Sequence, residues 1–423
     1  MPEDFRVVEI CAGAGGQALG LELAGFEHAL AVELDSTAAS TLRRNRPQWD
    51  VRVGDVADRT VWDPHDYAPN GDAGGIDLFA GGVPCPPFSV AGKQLGASDE
   101  RDLFAWAIEQ VGTLQPRAVL LENVKGLSQA KFAAYRQHVL DRLWGLGYEA
   151  EWKLINAADY GVAQLRPRFV LVAMQPEDFR FFHWPTPSGE NPTVGTVLHD
   201  LMAKDGWEGA DAWAEDASSI GPTIVGGSKK HGGADLGPTR AKQAWARLGV
   251  DGRGVADAAP NPGDEFEIGP RLTLDMVKRL QGWHGPEYSW EFEGRKTSVY
   301  RQIGNAFPPP VARALGEAIL NAFNRVGDPR PKTSMRVDAD TFVKVLKSVD
   351  GYVEAGRLAR LAGFRGDESG FDSRIAALSQ SYEVEAKVQD GKQYYKIGSF
   401  RAFLGQKNHV RNLRFEVERS RIS

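Results

Sequence analysis

The sequence predicts an α/β protein, and the pattern of its apolar runs supports this class. Val7-Val8-Glu9-Ile10 is a short β-branched run, followed at once by a glycine turn at 12–16 and a stretch compatible with a helix. Two more apolar runs, at 29–32 and 118–121, each end in a carboxylate. In an open α/β sheet, the carboxyl ends of the strands border the crevice where ligands bind. We therefore expect a ligand site along one edge of a sheet.

Length and composition indicate an ordinary globular protein with more than one core. The 423 residues are 42% hydrophobic and carry a formal net charge of −6. Cys11 and Cys85, the two cysteines, have no metal-ligand spacing, so we expect neither a disulfide framework nor a metal site. The chain shows no export signal and no run of about 20 apolar residues, the length of a membrane span. We expect a cytoplasmic protein with no membrane role.

The glycine turn and the acids that follow it predict a cofactor site. Glycines let the backbone approach a ligand closely, and Glu33, 20 residues after Gly13, could accept hydrogen bonds from ribose hydroxyls. Asp55 follows a third apolar run, at 51–54, and could bind an adenine amino group. The turn lacks the third glycine of a dinucleotide fingerprint, which disfavours NAD. Taken singly, each acid is more often an ordinary loop carboxylate.

A single thiol between prolines is the candidate nucleophile. Cys85 lies in the stretch from Gly81 to Ser89, just after the apolar run 76–80. Prolines restrict the backbone on both sides, which suits a thiol that must be presented rigidly at the end of a strand. On this stretch alone, a buried structural cysteine is about equally plausible.

Two further motifs carry charged groups at strand ends. Glu122-Asn123-Val124 follows the apolar run 118–121, so its carboxylate should face the ligand crevice. Arg166 and Arg168 precede the run 169–173 and, two residues apart on an extended segment, should point the same way. The plain alternatives are helix capping for the first motif and a pair of surface charges for the second.

Together these motifs resemble those of the DNA cytosine-5 methyltransferase family, in particular bacterial type II modification methylases. The resemblance covers about residues 5–175 and 270–325, and it depends on six motifs that occur in the family's order. They are the glycine turn, Pro84-Cys85, Glu122-Asn123-Val124, Gln-x-Arg-x-Arg at 164–168, the stretch 271–282, and Gln302-Ile303-Gly304-Asn305-Ala306.

The resemblance implies a Rossmann-like sheet, S-adenosylmethionine as the methyl donor and a flipped-out cytosine in double-stranded DNA as the substrate. It implies that Cys85 is the nucleophile, that Glu122 acts at the ring nitrogen N3, and that Arg168 and Arg166 hold the base and its sugar-phosphate. The implied cofactor-binding residues are Cys11, Ala12, Gly13, Gly15, Gly16, Glu33, Leu34, Asp55, Val56, Pro84, Leu103, Asn305 and Ala306.

The sequence departs from the family's pattern at three positions. Cys11 stands in place of the usual phenylalanine, Pro86 replaces a commoner glutamine, and Leu34 occupies the place where a tryptophan often stacks on adenine. None of these departures removes a chemical group that the reaction needs.

Residues 176–270 lie where the family places its target-recognition domain. The segment has 15 glycines and 9 prolines, yet Trp184, Trp207, Trp213 and Trp245 offer apolar anchors. Its stretch 229–253 has six basic and two acidic residues. Base reading and plain phosphate contact are equally open for these side chains. The candidate DNA-binding residues are Ser89, Lys229, Lys230, Arg240 and Lys242.

The carboxyl-terminal part of the chain is basic, whereas the rest of the chain is acidic. From Arg330 onward the chain has 18 basic and 12 acidic residues, a net charge of +6. Helices at 340–349, 353–361 and 372–379 and a hairpin of 382–388 with 393–397 predict a winged-helix-like domain. Accessory DNA contact and dimerisation or packing both remain open for it. The predicted domains are catalytic at 1–175 and 271–328, target-recognition at 176–270, and accessory at 334–423.

Other functional classes fit less well. A nicotinamide oxidoreductase would leave Pro84-Cys85 and Glu122 without a role. A transfer-RNA cytosine methyltransferase shares the chemistry but should lack so long an insert at 176–270. A catalytically silent DNA-binding regulator would not need the nucleophile and the acid. We expect a bacterial enzyme that acts as a monomer on nucleoid DNA, in a restriction-modification system with a cognate endonuclease, although a solitary enzyme fits equally well.

Overall fold

A computed structural model of the chain describes residues 5–83, 103–190, 192–227, 233–331 and 340–400. The main sheet is built from seven strands, which include all the strand positions that the sequence predicted before residue 175. These are β1 (Phe5–Ile10), β2 (Phe26–Glu33), β3 (Val51–Val53), β4 (Leu78–Gly81), β5 (Ala118–Val124), β6 (Glu149–Asn156) and β7 (Pro167–Met174).

The sheet has the order β3-β2-β1-β4-β5-β7-β6. The first five strands in this order are parallel, and β7 runs antiparallel to both of its neighbours. The order reverses between β1 and β4, and in open α/β sheets a ligand crevice forms at such a reversal, beyond the carboxyl ends of the strands. The predicted α/β, Rossmann-like class is confirmed.

Helices cover both faces of the sheet. The last of these helices comes from the part of the chain beyond residue 300. They are α1 (Gly16–Ala24), α2 (Ser36–Asn45), α3 (Leu103–Leu114), α4 (Ala133–Gly145), α5 (Pro176–Phe179), α6 (Val194–Met202), α7 (Ala210–Asp216), α8 (Thr239–Ala246), α9 (Leu274–Leu280), α10 (Lys296–Asn305) and α11 (Pro309–Phe323). A Cβ on Gly20 of α1 would lie 2.4 Å from the carbonyl oxygen of Pro309. The glycine therefore permits α1 to pack closely along α11. In the described residues, no helix has the length and apolar character of a membrane span.

The segment 176–270 adds no strand to the main sheet in its described part. It contributes α5 to α8, and its apolar anchors join a core with residues of α1, α2, α9 and α10. Trp245 is fully buried and Trp213 is 6% exposed, as expected for anchors, whereas Trp184 and Trp207 are only partly buried.

The carboxyl-terminal unit has three helices and a small antiparallel sheet of order β8-β10-β9. Its elements are α12 (Thr341–Ser348), β8 (Val353–Glu354), α13 (Ala355–Leu361), α14 (Glu368–Ser381), β9 (Tyr382–Gln389) and β10 (Lys392–Phe400). The predicted hairpin and three helices are present. The prediction was wrong at 353–354, which pair with β10 as a strand, because buried Val353 lies opposite Tyr395. It also began α14 too late, since Asp367 caps that helix.

This unit packs against α4 of the main domain. Phe342 and Leu346 belong to the same buried cluster as Tyr135 and Leu143 of α4. At the edge of the contact, the Lys347 ammonium lies 3.5 Å from a carboxylate oxygen of Asp141. The rings of His138 and Tyr382 meet edge to face at 6.0 Å. The unit is therefore joined to the catalytic part by a shared core as well as by the linker.

The positive charge expected of this domain does not reside in its described part. Residues 340–400 have nine basic and nine acidic side chains, and the excess lies in 330–339 and 401–423. The third helix, which enters the DNA groove in many helix-turn-helix proteins, begins with Glu368 and carries Asp372. Its Arg374 pairs with Asp340 at 2.8 Å. The described unit thus has the features of a packing module.

We predict that the contact at His138 makes stability depend on pH. Burial, together with the positive charges of Lys347 and Arg142, lowers the pKa of His138 to about 3. The unfolded chain takes up this proton near pH 6.5, about the ordinary value for histidine. Between these two values the unfolded state binds more protons. The free energy of unfolding should therefore fall as the pH drops below about 6.5, by up to about 1.4 kcal/mol per pH unit from this group.

Urea denaturation of His138→Gln between pH 7 and pH 5 should give a shallower pH slope than the wild type. His284→Gln, at an exposed histidine, is the control and should keep the wild-type slope. Identical slopes for the wild type and His138→Gln would show that His138 does not stay neutral in the fold.

Candidate active site and cofactor pocket

A cavity of about 280 Å³ lies at the carboxyl ends of β1, β2, β4 and β5. The stretch around the end of α10 closes its far side. Seven of the predicted cofactor residues line it: Cys11, Ala12, Gly13, Gly16, Glu33, Asn305 and Ala306. The sheet and the last motif thus form one cavity from segments almost 300 residues apart.

The glycine turn is shaped by close contacts from the later part of the chain. A Cβ on Gly16 would lie 2.2 Å from the carbonyl oxygen of Phe307, and one on Gly15 would lie 2.6 Å from the ring of Trp290. The indole N–H of Trp290 donates to the carbonyl of Ala14 at 2.8 Å. Only glycine fits these two positions, so the sequence of the turn is fixed by packing as well as by the ligand.

Backbone hydrogen bonds orient the Glu33 carboxylate so that it can accept hydrogen bonds from the hydroxyl groups of a ligand. Its two carboxylate oxygens accept hydrogen bonds from the backbone N–H groups of Gly13, at 2.8 Å, and Asp35, at 2.7 Å. Each oxygen keeps a further lone pair that can accept from a ligand. Burial raises the pKa of Glu33, and these backbone donors oppose the rise. A ribose with two adjacent hydroxyls fits this donor and acceptor set.

Several predicted cofactor residues lie outside the lining of this cavity in the described part of the chain. Gly15 lies against Trp290, and Leu34 is 68% exposed. A carboxylate oxygen of Asp55 accepts from the N–H of Ala57 at 3.0 Å. Val56 and Leu103 pack in or against the main core. Pro84 falls outside the described residues, as do Cys85 and Ser89.

Other lining residues were not predicted to bind the cofactor. They are Glu9, Ala14, Gln17, Asp35, Ala38, Gly82, Glu122, Arg301, Gln302 and Phe307. Glu9 could have been found from the sequence, because a carboxylate inside an apolar strand is unusual. Glu122, at the end of β5, was predicted to face the crevice as a catalytic group. The others lie in helices and loops, and only the folded chain brings them to the cavity.

Glu122 and Arg168 form an ion pair at the inner end of the cavity. Both side chains are largely buried, at 14% and 13% exposure. A Cβ on Gly82 would lie 3.6 Å from a carboxylate oxygen of Glu122. The Glu122 carboxylate therefore lies beside the end of the strand that leads to Pro84-Cys85, as predicted for a group acting near the nucleophile.

Asn123 fixes the backbone just before that nucleophile. Its side-chain amide donates to the carbonyl of Val83 at 3.3 Å and accepts from the N–H of Val124 at 2.8 Å. The side chain is almost fully buried. Since Val83 is the last described residue before Pro84, Asn123 anchors the start of the nucleophile segment to β5.

The structure does not support the prediction that Arg166 holds the substrate. Its guanidinium is 1% exposed and donates to the carbonyls of Ile224, Gly304 and Ala306, each at 2.9 Å. Arg166 and Arg168 thus have different partners, although the sequence predicted that they would act together. Burial lowers the pKa of Arg166 well below its ordinary value. We assign Arg166 to the positioning of the segments around 224 and 304–306.

The candidate DNA-binding residues of the insert have mixed placements. Arg240 is exposed on α8. The Lys242 ammonium lies 2.9 Å from a carboxylate oxygen of Asp235, so its positive charge is already paired. Lys229 and Lys230 fall outside the described residues. Arg253 and Arg271, which are half exposed and share the carboxylate of Asp251, offer further positive charge.

We predict that Gly16→Ala damages the fold and the cofactor pocket together. The added methyl group would meet the backbone carbonyl of Phe307, which cannot rotate away. Thermal unfolding should show a loss of at least about 2 kcal/mol, which is typical of overpacking against backbone. Gly145→Ala, in α4 where a Cβ has open space, is the control and should be neutral or slightly stabilising. Equal stability of the two variants would contradict the close approach.

We predict that Arg166→Met also destabilises the protein, because three buried carbonyls lose their donor. Removing the charged partner of buried groups costs roughly 3 kcal/mol or more. Urea denaturation measures the loss, and Arg240→Met, at an exposed arginine, is the control. If Arg166→Met is as stable as the wild type and loses only DNA binding, then Arg166 contacts the substrate, as the sequence predicted.

The chain matches a protein-family model and two type II methyltransferases. Residues 5–321 match the family model described as C-5 cytosine-specific DNA methylase. The chain is 56% identical to the type II methyltransferase M.NaeI of Lentzea aerocolonigenes, over the full length of both. It is 48% identical to the type II methyltransferase M.NgoMIV of Neisseria gonorrhoeae, over 76% of this chain and 99% of that protein.

A solved structure shares the fold. It is described as a DNA modification methyltransferase encoded within a prophage (E. coli), with a TM-score of 0.51 and 23% identity. The match covers 76% of this chain and 100% of that one.

Proposed function

The chain belongs to the C-5 cytosine-specific DNA methylase family, and we propose that it methylates cytosine at one specific site in double-stranded DNA. S-adenosylmethionine use is a general property of this family, and the described cavity suits a nucleoside at its Glu33 end. The observation that carries the proposal is the position of Glu122. Its carboxylate pairs with Arg168 and lies at the end of the strand that leads to Cys85.

Cys85 performs covalent catalysis in the proposed reaction. Carbon C5 of cytosine is a poor nucleophile. When the thiolate adds to C6, the electron pair of the C5–C6 double bond becomes available at C5. The bound cofactor supplies an electrophilic methyl group to this carbon. Loss of the C5 proton to a base then restores the double bond and expels the Cys85 thiolate.

Glu122 and Arg168 would stabilise the charge that develops on the base during this addition. Negative charge that would otherwise build up on the ring is neutralised when the Glu122 carboxyl shares or donates a proton at N3. Arg168 orients that carboxyl through their ion pair, and its remaining N–H groups would hold the base. Both groups lie on neighbouring strands of the sheet, so their spacing is rigid.

The substrate base must leave the helix to reach this site. A cytosine stacked in a duplex cannot present its ring face to a thiol, so we propose that it flips out, at a cost of a few kcal/mol. Residues 176–270 would read the site, with Arg240, Lys229 and Lys230 as candidate contacts to DNA. Asn305 ties the end of the described stretch 192–227 to the cofactor motif, because its amide donates to the carbonyl of Gly227 at 3.2 Å.

The names of the relatives suggest the biological context. Two similar proteins are type II methyltransferases, so we propose that the chain protects DNA against a cognate restriction endonuclease in a bacterial cell. The catalytic part would comprise 1–175 and 271–328. The carboxyl-terminal unit, 334–423, would be an added module, since the family match ends at residue 321.

We predict that duplex DNA with 5-fluorocytosine at the target base traps the enzyme. Cys85 can add and the methyl group can transfer, but fluorine cannot leave C5 as a proton does, so the thioether persists. The complex should survive denaturing electrophoresis and should require S-adenosylmethionine. Bisulfite sequencing of DNA from cells expressing the protein first identifies the target site.

Two variants test the assigned roles. Cys85→Ala should form no adduct while still binding the cofactor, and Glu122→Gln should form it at least about tenfold more slowly, which is the scale of lost acid catalysis. Cys11→Ala is the matched thiol control and should trap normally. An adduct in Cys85→Ala would assign the nucleophile to another residue.

A further inference from the structure

The strand β9 forms an open edge of the small sheet in the carboxyl-terminal unit. In the order β8-β10-β9, it pairs with β10 on one side only, within the part of the chain that the structure describes. An edge strand presents a row of backbone N–H and C=O groups that can pair with a further strand. Residues 385–389 are all exposed. The second half of β9 can therefore accept another strand.

One face of β9 carries apolar side chains beyond the core of the unit. Successive side chains of a strand alternate between its two faces. Tyr382 is buried in the core, and Val384 packs against it. Ala386 and Val388 follow on the same face and are exposed, Val388 by 69%. This face thus offers apolar surface at the open edge that the unit's own core does not cover.

The other face of β9 carries charges of both signs. Glu383, Glu385 and Lys387 alternate with the apolar residues and are exposed. The Glu385 carboxylate accepts from the hydroxyl of Tyr352 at 2.6 Å, and the Lys387 ammonium lies 4.3 Å from the centre of the Tyr352 ring. Tyr352 therefore contacts both groups on the same face of the sheet. Within the described ranges, Lys387 forms no ion pair.

This pattern is self-complementary when a second copy lies antiparallel along β9. With a two-fold axis at Ala386, Glu385 of each copy lies opposite Lys387 of the other. On the apolar face, Val384 of each copy lies opposite Val388 of the other, and the two Ala386 residues meet. Side chains directly opposite in an antiparallel pair are about 5 Å apart, so each of these pairs can interact.

Charge favours this register over its neighbours. An axis at residue 385 would bring two Glu385 carboxylates together, and an axis at residue 387 would bring two Lys387 ammoniums together. Like charges directly opposite each other are destabilising. Charged side chains on an edge strand usually prevent pairing. In β9 the opposite signs lie two residues apart, so in the register centred on Ala386 they attract.

We propose that two copies of the chain associate through β9, with the axis at Ala386, and join the three strands of each copy into one continuous sheet. The interface is isologous, because each copy contributes the same strand. One strand pair buries less surface than a standard stable interface, so the dimer forms reversibly as the protein concentration rises. This inference goes beyond the proposed function, and the catalytic cavity takes no part in it.

Disulfide trapping in the full chain tests the register. Ala386→Cys should give a covalent dimer on mild oxidation, because the two thiols face each other. Val384→Cys and Val388→Cys should cross-link when mixed, since each lies opposite the other. Neither should cross-link alone, because identical positions are then four residues apart along the strands, about 13 Å. The wild type, with Cys11 and Cys85, is the control and should give no covalent dimer.

Charge reversal tests the same contact without cysteines. Glu385→Lys and Lys387→Glu each bring like charges together twice, so each should weaken association about tenfold in sedimentation velocity of the full chain. The double variant Glu385→Lys/Lys387→Glu restores opposite signs and should associate like the wild type. Lys344→Glu, at an exposed lysine of α12, is the matched control and should also associate like the wild type.

Three results would overturn the proposal. One is an Ala386→Cys protein that stays monomeric under oxidation, as expected if residues 401–423 of the same chain cover the edge. Another is cross-linking of Val384→Cys or Val388→Cys alone as efficiently as in their mixture, which indicates random collision. The third is an association that neither charge reversal weakens, which would locate the interface elsewhere. If Val384→Cys does not fold, Ala386→Cys and the charge reversals, at exposed positions, still decide.

Discussion

The close approach of the amino-terminal glycine turn to the segment 305–307 is the constraint on which the rest of the structure depends. Gly16 lies against the carbonyl of Phe307, and Gly20 lies against that of Pro309. These contacts seat α11 beside α1 and bring Asn305 and Ala306 to the cavity. Because the chain must return from the insert to make them, the cofactor pocket exists only when both parts of the catalytic domain are in place.

Arg166 and Gln164 extend this closure to the insert. Arg166 joins the carbonyl of Ile224 to those of Gly304 and Ala306. The Gln164 side chain accepts from the N–H of Ile224 and donates to the carbonyl of Leu280. The motif at 164–168 was expected to contact the substrate, but its Gln164 and Arg166 instead hold buried segments of the chain together. Of the charged residues in this motif, Arg168 is the one that pairs with Glu122. The segment that ends at Gly227 is tied directly to the cofactor motif.

The positive charge of the carboxyl-terminal part is not carried by its described unit. The net charge of +6 left DNA contact and packing both open, and the described residues 340–400 are neutral and share a core with α4. The charge count of a segment does not say where on the fold its charges lie. In the described unit, one face packs against α4 of the catalytic part.

The sequence by itself predicted six of the seven strands of the main sheet, the glycine turn and the strand-end acid Glu122, because each depends on local residue pattern and fixed spacing. It also identified Glu33 and Asn305. It could not decide that Arg166 is enclosed, that residues 353–354 form a strand or that Glu9 faces the cavity beside His28. These features depend on which side chains meet across distant segments, and burial and pairing between such segments are set by tertiary packing alone.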